Sequence, residues 1–367
     1  MTKIFLDYYC VAIHDTTMRR SEIIKADVLK LIRTLEKGSA LPSRTALCDL
    51  LKTNRVVLDQ AIRMLVEEGI LIAKKGSGTY VANLIPTVRS WGVIVPDVAD
   101  PIYAALVRGI EDVAHRLGRS IIVCNSDFDI SKQADYIDRL IGHAVDGFVI
   151  VPVLQSDLKE NYRMFMKLRH LATPYVFCNR LIDGIDAPAV LSNDFYGGYI
   201  ATKHLLRNGY ERIAYLAPIT YKGSIDRCQG YITALQEARM TEDRTLIVMD
   251  EPTENEHGDQ RIARLISEYH VDAFFCFNDA LANKVLDISF ELNHPVGIVG
   301  YNDSILCEQA STKLTSVRYR SQEIGSAAAN LLAEILQTGF SGSYRLFSYL
   351  PELIVRQSSL PMRARSV

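Results

Sequence analysis

The chain has 367 residues, of which 48% are hydrophobic and 23% charged, a balance typical of soluble globular proteins with two or three domains. The formal net charge is only −2, but residues 19–83 contain twelve basic and seven acidic residues, so a head of +5 precedes a body of −7. No uncharged apolar stretch approaches the roughly 18 residues of a membrane span. The seven scattered cysteines form no C-x-x-C pair and no Cys/His group at metal-ligand spacing, which favours reduced thiols over a disulfide framework or a zinc site.

The first fifteen residues, MTKIFLDYYCVAIHD, are partly apolar, but Asp7 interrupts them and no small-residue cleavage site follows. This pattern does not match a signal peptide. We therefore expect a cytoplasmic protein with reduced, buried thiols and no membrane partner. The basic residues that follow suggest a polyanionic partner for the head alone, because concentrated Lys and Arg attract phosphate.

Three helices are predicted before the first strand. Residues 22–35 carry apolar side chains at helical spacing. Ser43 can cap a second helix, TALCDLLK, and Thr53 or Asn54 can cap a third, VVLDQAIRMLVEEG, which Gly69 ends. Two short strands, ILIAKK and TYVA, come next, and three helices followed by a hairpin indicate a winged helix-turn-helix.

The glycine loop of that hairpin, KKGSGTYV at residues 74–81, allows three interpretations. A phosphate-binding P-loop requires a helix after it and a lysine behind its last glycine, whereas here a strand follows and both lysines precede. A plain structural hairpin is the second interpretation. We favour the third, a wing whose lysines and bare backbone approach DNA phosphates or the minor groove, with glycine permitting the tight turn.

From residue 90 the pattern changes to short apolar runs that begin about every 27 residues and alternate with helical stretches. The first series is WGVIVPD, IIVCNS, GFVIVPV and YVFCNR, and the second is RIAYLAP, TLIVMD, AFFCFND and VGIVGYND. Near-continuous apolar strands joined by helices are typical of parallel sheets covered on both faces. The predicted fold class is multidomain α/β: an N-terminal winged helix-turn-helix followed by two doubly wound, Rossmann-like subdomains.

Polar residues stand at the carboxyl ends of these strands, where ligands of open α/β sheets bind. Asn and Asp also cap helices, so each residue alone is ambiguous. Five such ends from two subdomains nevertheless offer the paired donors and acceptors that a polyhydroxyl ligand requires. The strand-end candidates are Asp97, Asp100, Tyr103, Asn125, Asp127, Asn179, Arg180, Asn278, Asp279, Asn302 and Asp303. Arg227, in GSIDRCQGY, can add paired bonds to neighbouring hydroxyls.

The stretch LPSRTALCDLLKTNRVVLDQAIRMLVEEGILIAKKGSGTYV resembles the winged helix-turn-helix of the GntR family of bacterial regulators. Residues 90–358 resemble the sugar-sensing core of the LacI/GalR family, itself similar to periplasmic sugar-binding proteins, in VPDVADPIYAALVRGIEDVA, LSNDFYGGYIATKHLLRNGYERIAYLAP, VGIVGYND and PELIVRQSS. A GntR-type head on a LacI-type body is similar to the arabinose-responsive repressor subgroup. The resemblance implies a repressor of sugar-utilisation genes that is not an enzyme and needs no cofactor. It would bind double-stranded operator DNA as a homodimer and leave it when a monosaccharide such as a pentose binds.

The resemblance also implies roles for individual residues. Arg55 and the start of the third helix would read base edges, while Arg44, Lys52, Lys74 and Lys75 would mainly contact phosphate. The implied DNA-binding residues are Ser43, Arg44, Thr45, Asn54, Arg55, Val56, Val57, Gln60, Lys74, Lys75, Gly76 and Ser77. With the strand-end residues Arg180 and Asp303 included, the ligand-binding set is Tyr103, Asn125, Phe128, Asn179, Arg180, Arg227, Asn278, Asn302 and Asp303.

The chain departs from the family pattern in both halves. Arg44-Thr45 replaces a frequent Glu-Arg, and Asp59 stands where a recognition-helix arginine is frequent, so base preference cannot be transferred. Asn179 and Asn302 replace usual aspartates. Their amides can donate as well as accept, which leaves the hydroxyl pattern of the ligand open.

The expected domain boundaries follow from the two resemblances. Residues 1–20 form an N-terminal extension without a counterpart, 21–83 the DNA-binding domain and 84–89 a linker. The effector-binding domain spans 90–358. Its first subdomain is expected at about 90–190 plus 317–340, and its second at about 191–316 plus 343–358.

Three other functions compete with a sugar-responsive repressor. The same architecture could sense a purine or another small metabolite. An α/β enzyme acting on a sugar or nucleotide would need a dinucleotide fingerprint, a nucleophile elbow or a nucleophile with its base, and the sequence contains none of these patterns. A periplasmic sugar carrier, without DNA binding, is supported by the body alone, and the basic head argues against it.

Overall fold

The computed structural model describes residues 20–361 except 33–34, 75, 83–88, 144, 155–157, 218–221, 250–257 and 340–344. Residues 1–19 of the expected extension, nearly all of the expected linker and Lys75 therefore lie outside the described residues. In the described part of the chain, no helix is both long and apolar enough to cross a membrane. The same residues contain no group of three His, Cys, Asp or Glu side chains that could hold a metal ion.

The head contains three helices and a two-stranded antiparallel hairpin, as predicted. Their bounds are α1 Arg20–Ile32, α2 Arg44–Leu50, α3 Arg55–Glu67, β1 Leu71–Lys74 and β2 Gly78–Val81. Helix α1 packs against α3, and α3 packs against α2 and β1. Ala40, which lies between α1 and α2, bridges to Tyr80, so the chain entering α2 is fixed to the wing.

Amphipathic patterning gives the head a core of its own. Helix α3 buries Leu58, Ala61, Ile62 and Leu65 on one face, at the helical spacing the sequence predicts. These side chains pack with apolar residues of α1, α2 and both strands. The opposite face of α3 is left to solvent, and the core determines which residues it presents.

The first lobe is a six-stranded parallel sheet in the order β13-β7-β6-β5-β3-β4. Its strands are β3 Ser90–Val95, β4 Ser120–Asn125, β5 Gly147–Ile150, β6 Tyr175–Cys178, β7 Ala189–Ser192 and β13 Leu346–Tyr349. Its helices are α4 Pro101–Arg116, α5 Ile130–Gly142, α6 Lys159–His170 and α12 Ser321–Thr338.

The second lobe has a six-stranded sheet in the order β14-β12-β11-β10-β8-β9, in which only the edge strand β14 is antiparallel. Its strands are β8 Ile213–Leu216, β9 Ile247–Val248, β10 Ala273–Cys276, β11 Gly297–Asn302, β12 Thr315–Arg318 and β14 Glu352–Ile354. Its helices are α7 Asp194–Arg207, α8 Lys222–Glu237, α9 Gly258–Ser267, α10 Asp279–Glu291 and α11 Leu306–Gln309, with short 3-10 turns at Arg244–Leu246 and Gln357–Ser359.

The chain passes between the two lobes three times. It leaves the first lobe after β7, returns after β12 into α12, and leaves again after β13 into β14. The first and third passages lie side by side, because the Asn193 amide donates to the Tyr349 carbonyl oxygen at 2.8 Å. Helix α12 packs on α4 and on strands of the first sheet, so this lobe is completed by residues from the end of the chain.

This topology differs from the expected subdomain boundaries in two places. The strand at 315–318 pairs with β11 in the second sheet, so the first lobe resumes only with α12. The strand at 346–349 pairs in parallel with β7 and belongs to the first lobe, although it was expected in the second. In the second case the physical reason is long-range pairing, since the edge strand β13 joins β7, a partner far away in the sequence.

Helices α7 and α8 of the second lobe approach each other closely. A Cβ added to Gly198 would lie 2.0 Å from the Arg227 carbonyl oxygen, and one added to Gly230 would lie 2.0 Å from the Phe195 carbonyl oxygen. Only glycine allows two backbones this near. The close packing fixes the position of α8, which carries Arg227.

The described cysteines are free thiols, as expected. Five of the six are buried, and Cys48 is half-buried. Burial raises the pKa of Cys124, Cys178 and Cys276, which keeps them protonated and weakly reactive. Cys10 lies outside the described residues.

Candidate functional site

The outer face of α3 is an exposed part of the predicted DNA-binding surface. Asn54 caps the helix, because its Oδ1 accepts from the Val57 amide at 3.0 Å. Val56 is 75% exposed and the Arg55 side chain is 78% exposed, and Gln60 is also exposed. An exposed Val56 has no packing role in the described part of the head, so it is available to contact a partner such as a thymine methyl group.

Some other head residues that were predicted to bind DNA also stabilise the fold of the head. Ser43 caps α2 through its Oγ, which accepts from the Ala46 amide at 3.2 Å. Thr45 is exposed beside it, whereas Val57 is half-buried and packs on the core of the head. The structure therefore places Ser43, Thr45 and Asn54 near the starts of the two helices, with Val57 turned partly inward.

Arg44 has partners within the head. Its Nε donates to Asp59 Oδ1 at 2.8 Å and its Nη2 donates to Thr79 Oγ1 at 3.1 Å. Asp59 Oδ2 is also 3.7 Å from Arg55 Nε. The sequence predicted a phosphate contact for Arg44 and did not anticipate this link between α2, α3 and the wing.

The wing turns at Gly76, whose φ of +76° lies in the left-handed region. The Ser77 amide donates to the Lys74 carbonyl oxygen at 3.0 Å, and the Tyr80 hydroxyl lies 2.5 Å from Ser77 Oγ. Lys74 Nζ sits 4.9 Å from the centre of the Tyr80 ring. The tip is therefore exposed and ordered by its own contacts, with a positive charge held over an aromatic face.

In the first lobe, three of the predicted ligand-binding residues meet. Arg180 Nη2 donates to the Tyr103 hydroxyl. The guanidinium carbon lies 5.8 Å from the Tyr103 ring centre and 5.6 Å from that of Phe128. Tyr103 is buried and Arg180 is half-buried, whereas Phe128 is 54% exposed, so the cluster presents an aromatic face to solvent beside a partly buried guanidinium.

Asn125 and Asn179 also lie at strand ends of the first lobe. Asn125 Oδ1 accepts from the Val98 amide at 2.8 Å, and its Nδ2 donates to Asp127, which also pairs with Lys132. Asn179 follows β6 with a φ of +69°. Asn125 is therefore partly committed to its own loop.

In the second lobe, Arg227 is 3% exposed and its guanidinium is held on three sides. Nε donates to Asp194 Oδ1 at 2.8 Å, and Nη1 donates to the Phe277 carbonyl oxygen at 2.8 Å. The guanidinium carbon lies only 3.5 Å from the centre of the Tyr301 ring. The Tyr301 hydroxyl also donates to Asp194 Oδ1, at 3.1 Å. The cation is thereby neutralised and stacked in a fixed orientation.

The remaining predicted residues of this lobe divide into two groups. Asn278 caps α10, with its Oδ1 accepting from the Leu281 amide at 2.9 Å, and Asn302 ends β11 with a φ of +102°. Asp303 forms ion pairs of 2.8 Å with both Arg318 and Arg356, and its side chain is only 7% exposed. The structure thus places Asp303 in an ion-pair network with two arginines.

Asp279, a strand-end candidate, is also structural. It is buried, with Oδ1 accepting from Ser316 Oγ at 2.6 Å and Oδ2 accepting from the Ser304 amide at 2.7 Å. Burial raises the pKa of this carboxyl, and the hydrogen bonds oppose the rise. Asp279 holds the loop after β11 against β12.

Tyr319 joins the two lobes, and the sequence patterns did not indicate it. Its hydroxyl donates to the Asn179 carbonyl oxygen at 3.4 Å, and its ring centre lies 6.4 Å from that of Tyr301. A continuous chain of contacts therefore runs from Asn179 through Tyr319 and Tyr301 to Arg227. Sequence reasoning missed Tyr319, Tyr301, Phe277 and Asp194, although Tyr301 and Phe277 lie next to a predicted strand end.

Left-handed backbone is concentrated at the same strand ends. Non-glycine residues with positive φ there are Asp127, Phe128, Asn179, Asn302, Asp303 and Arg320. Such conformations cost free energy and are typical of ligand sites, where they aim side chains that a relaxed turn would not. Their position supports a binding cleft at the carboxyl ends of the two sheets.

Comparison with known families gives a match in each part of the chain. Residues 21–81 match the family described as bacterial regulatory proteins, gntR family. Residues 202–359 match the family described as periplasmic binding protein-like domain.

Individual relatives extend these matches over most of the chain. The arabinose metabolism transcriptional repressor of Geobacillus stearothermophilus is 25% identical over 350 residues, which cover 92% of this chain and 96% of the relative. The transcriptional repressor PurR of Vibrio atlanticus is 30% identical over 280 residues, covering 74% and 81%. A LacI family transcriptional regulator from Enterococcus faecium, solved with bound ribose, has 26% identity and a TM-score of 0.61 and covers 74% of this chain and 99% of that one.

Proposed function

The chain belongs to the transcriptional repressors that join a helix-turn-helix domain to a periplasmic-binding-protein-like domain, and from this membership we propose how it works. It is a ligand-responsive repressor that binds operator DNA through its head and a sugar through its body. We propose that the sugar is a pentose that binds at the strand ends of the two lobes and lowers the affinity for DNA. The arabinose repressor and the ribose-bound regulator among its relatives support a pentose.

One observation carries the effector half of the proposal: the chain of contacts from Asn179 of the first lobe to Arg227 of the second. A ligand placed against it meets amide groups, a fixed guanidinium and aromatic faces. Guanidinium and amide groups offer the directed bonds that sugar hydroxyls need, and aromatic faces suit the apolar C–H faces of a sugar ring.

The exposed start of α3 is the observation that supports the DNA-binding part of the proposal. Its length suits the major groove, where Arg55 can form paired bonds to guanine and Val56 can contact a thymine methyl group. Lys52 and Lys74 are exposed on either side and suit phosphate contacts, which fix orientation without reading sequence.

We infer that two copies act together on DNA. A single head offers one short helix and one hairpin, which is too few contacts for tight specific binding. A homodimer presents two heads to a site with two-fold symmetry. The dimer makes the separation of the heads a quantity that the bodies can control.

Coupling between effector and DNA is assigned to the three passages between the lobes. A ligand that draws the lobes together bends these passages and shifts how the two bodies pack. The free energy of operator binding then becomes less favourable by the coupling free energy, which is typically about 1–3 kcal/mol.

A purine effector is the second candidate, and two observations favour it. The PurR repressor is 30% identical to this chain. In the first lobe, the Phe128 ring and the Arg180 guanidinium offer flat faces on which a planar base could stack. A screen of pentoses and purines against the same protein distinguishes a pentose effector from a purine effector.

The test begins with thermal shifts of the full-length chain in L-arabinose, D-ribose, D-xylose, D-glucose, hypoxanthine and guanine. A ligand at a hundred times its dissociation constant adds about 2.7 kcal/mol to the free energy of unfolding. We expect one pentose to raise the melting temperature and to release a duplex that the protein has selected from a random-sequence library. Stabilisation by hypoxanthine or guanine alone would replace the pentose by a purine, and a ligand that stabilises the protein without releasing DNA would contradict the coupling.

A further inference from the structure

Asp59 is an acidic residue on a surface that otherwise suits DNA. It lies on the outer face of α3, one turn after Arg55 and beside Gln60, and its side chain is 43% exposed. A carboxylate at this position repels the phosphate backbone and lowers affinity for any DNA sequence. Its contacts with two arginines indicate a role that offsets this loss of affinity.

The two carboxylate oxygens of Asp59 face two different arginines. Oδ1 accepts from Arg44 Nε at 2.8 Å, while Oδ2 lies 3.7 Å from Arg55 Nε. Arg44 also donates to Thr79 Oγ1 at 3.1 Å. One carboxylate therefore joins the first residue of α2, the first turn of α3 and the second strand of the wing.

These two contacts differ in kind. The Arg44 side chain is only 28% exposed and Thr79 is 6% exposed, so this link is protected from solvent and fixes the guanidinium. Arg55 is 78% exposed, and a pair at this distance in water contributes little stability. It biases the direction of the Arg55 side chain, which is what a base-reading group requires.

We propose that Asp59 is a specificity-determining positioning residue for DNA recognition. Its charge orients Arg55 toward a base edge and keeps Arg44 within the head and away from phosphate. This inference rests on the proposed function, in which α3 enters the major groove. Removing the charge releases two cations to the phosphate backbone, so affinity for every sequence rises while discrimination between sequences falls.

The experiment uses the full-length chain and a random-sequence duplex library. Selected sequences are determined for the wild type, Asp59→Asn, Asp59→Glu and Glu67→Gln. Glu67 is the matched control, because it is an exposed acid at the far end of the same helix and its substitution changes the net charge equally. Dissociation constants for the selected duplex and a scrambled duplex are then measured at two salt concentrations.

We expect Asp59→Asn to bind the scrambled duplex more tightly and to lose about tenfold in the ratio of the two dissociation constants, which is the scale of one base contact. Asp59→Glu, which retains the charge, should recover part of that ratio. If Asp59→Asn and Glu67→Gln strengthen both duplexes equally and leave the ratio unchanged, Asp59 acts only through its charge and the inference is wrong. A wild type that enriches no sequence would instead overturn the proposed function, and this inference with it.

A second variant addresses loss of folding in Asp59→Asn. Exchanging the pair, Arg44→Glu with Asp59→Arg, retains an ion pair between α2 and α3, and the new carboxylate can accept from Thr79. We expect an unchanged melting temperature and a different selected sequence, because the outer face of α3 then carries a cation in place of an acceptor. An unchanged sequence from a folded exchange variant would show that neither residue determines specificity.

Discussion

Three of the groups around the Arg227 guanidinium restrict it in different ways. Asp194 fixes its charge, the Phe277 carbonyl oxygen fixes one edge, and the Tyr301 ring fixes its plane. The Asp194 side chain is only 13% exposed. Removing either member of a buried pair leaves an uncompensated charge, so at this residue binding and stability cannot be separated by a truncation alone.

Arg227→Ala is expected to abolish the effector response and to destabilise the second lobe by about 3–5 kcal/mol, because Asp194 is left unpaired. Arg227→Lys restores the charge without the planar stack, so it should recover most of the stability but not the response. Thermal melts with and without the effector check both results. Arg244→Ala is the control, since that arginine of the same lobe is 90% exposed. A normal response in Arg227→Lys would remove the planar group from the binding site.

His204 gives the second lobe a dependence on pH. Its Nε2 lies 2.7 Å from Ser359 Oγ, and burial, assisted by Arg207, lowers its pKa below the ordinary value of 6.5. The unfolded chain therefore binds more protons between the folded-state pKa and pH 6.5. The contribution of His204 to stability is complete above about pH 6.5 and is lost as the pH falls through the folded-state pKa.

We expect the urea midpoint of the wild type to fall between pH 7.5 and pH 5.5 by more than that of His204→Gln. Glutamine can retain a hydrogen bond to Ser359 but does not titrate. Equal falls in the two proteins would assign the pH dependence to other groups.

Each lobe contains a pair of closely packed helices. Helices α7 and α8 touch through Gly198 and Gly230, and α4 and α12 touch through Gly109 and Gly325, where an added Cβ would lie 2.0 and 2.1 Å from a facing carbonyl oxygen. Both contacts lie on helices next to a passage between lobes. We therefore expect a change in helix separation to alter the proposed cleft.

Gly198→Ala should separate α7 from α8 and cost about 1–3 kcal/mol, the usual range for overpacking. Because the Cβ would press on the Arg227 backbone, effector affinity should fall as well. Chemical denaturation and effector titration measure the two effects. Gly142→Ala is the control, because that helical glycine has no atom within 4 Å of an added Cβ and alanine there should be neutral or slightly stabilising. Unchanged effector affinity in Gly198→Ala would separate the helix contact from the site.

The sequence predicts elements that local residue patterns determine better than elements that depend on pairing between distant parts of the chain. Long apolar runs such as WGVIVPD predict β3 because a strand buried on both faces needs no partner to be recognised. The strands AVLS at 189–192 and LFSY at 346–349 are only four residues long, and long-range pairing identifies them, since AVLS lies between β6 and LFSY in the sheet. Local capping correctly identifies Ser43 and Asn54. The same logic cannot distinguish Asp303, which two arginines bind, from an acid that faces a ligand.

In the whole molecule, the head and the body differ in net charge and each has its own hydrophobic core. Charge and packing therefore place the boundary between the two parts at the same point of the chain. Among the described residues, the core of the head extends no further than Val81. DNA binding and effector binding are therefore assigned to parts of the chain that have separate cores. The number of heads on each DNA site is the quantity that distinguishes a dimer from a monomer.

Lys74→Ala measures that number through salt dependence. Removing one phosphate contact reduces the slope of log affinity against log salt by about 0.9. If two heads bind each operator, the slope should fall by about 1.8, whereas a single head would give about 0.9. Titrations at four salt concentrations determine it. An unchanged slope would show that the wing lysine does not touch phosphate.

The last strands of the two sheets, β13 and β14, come from residues 346–354. A stop codon between residues 82 and 345 therefore removes an edge strand from both sheets at once, whereas the head, whose core ends at Val81, is translated whole. A truncated fragment can therefore retain the DNA-binding head while both lobes behind it lack an edge strand.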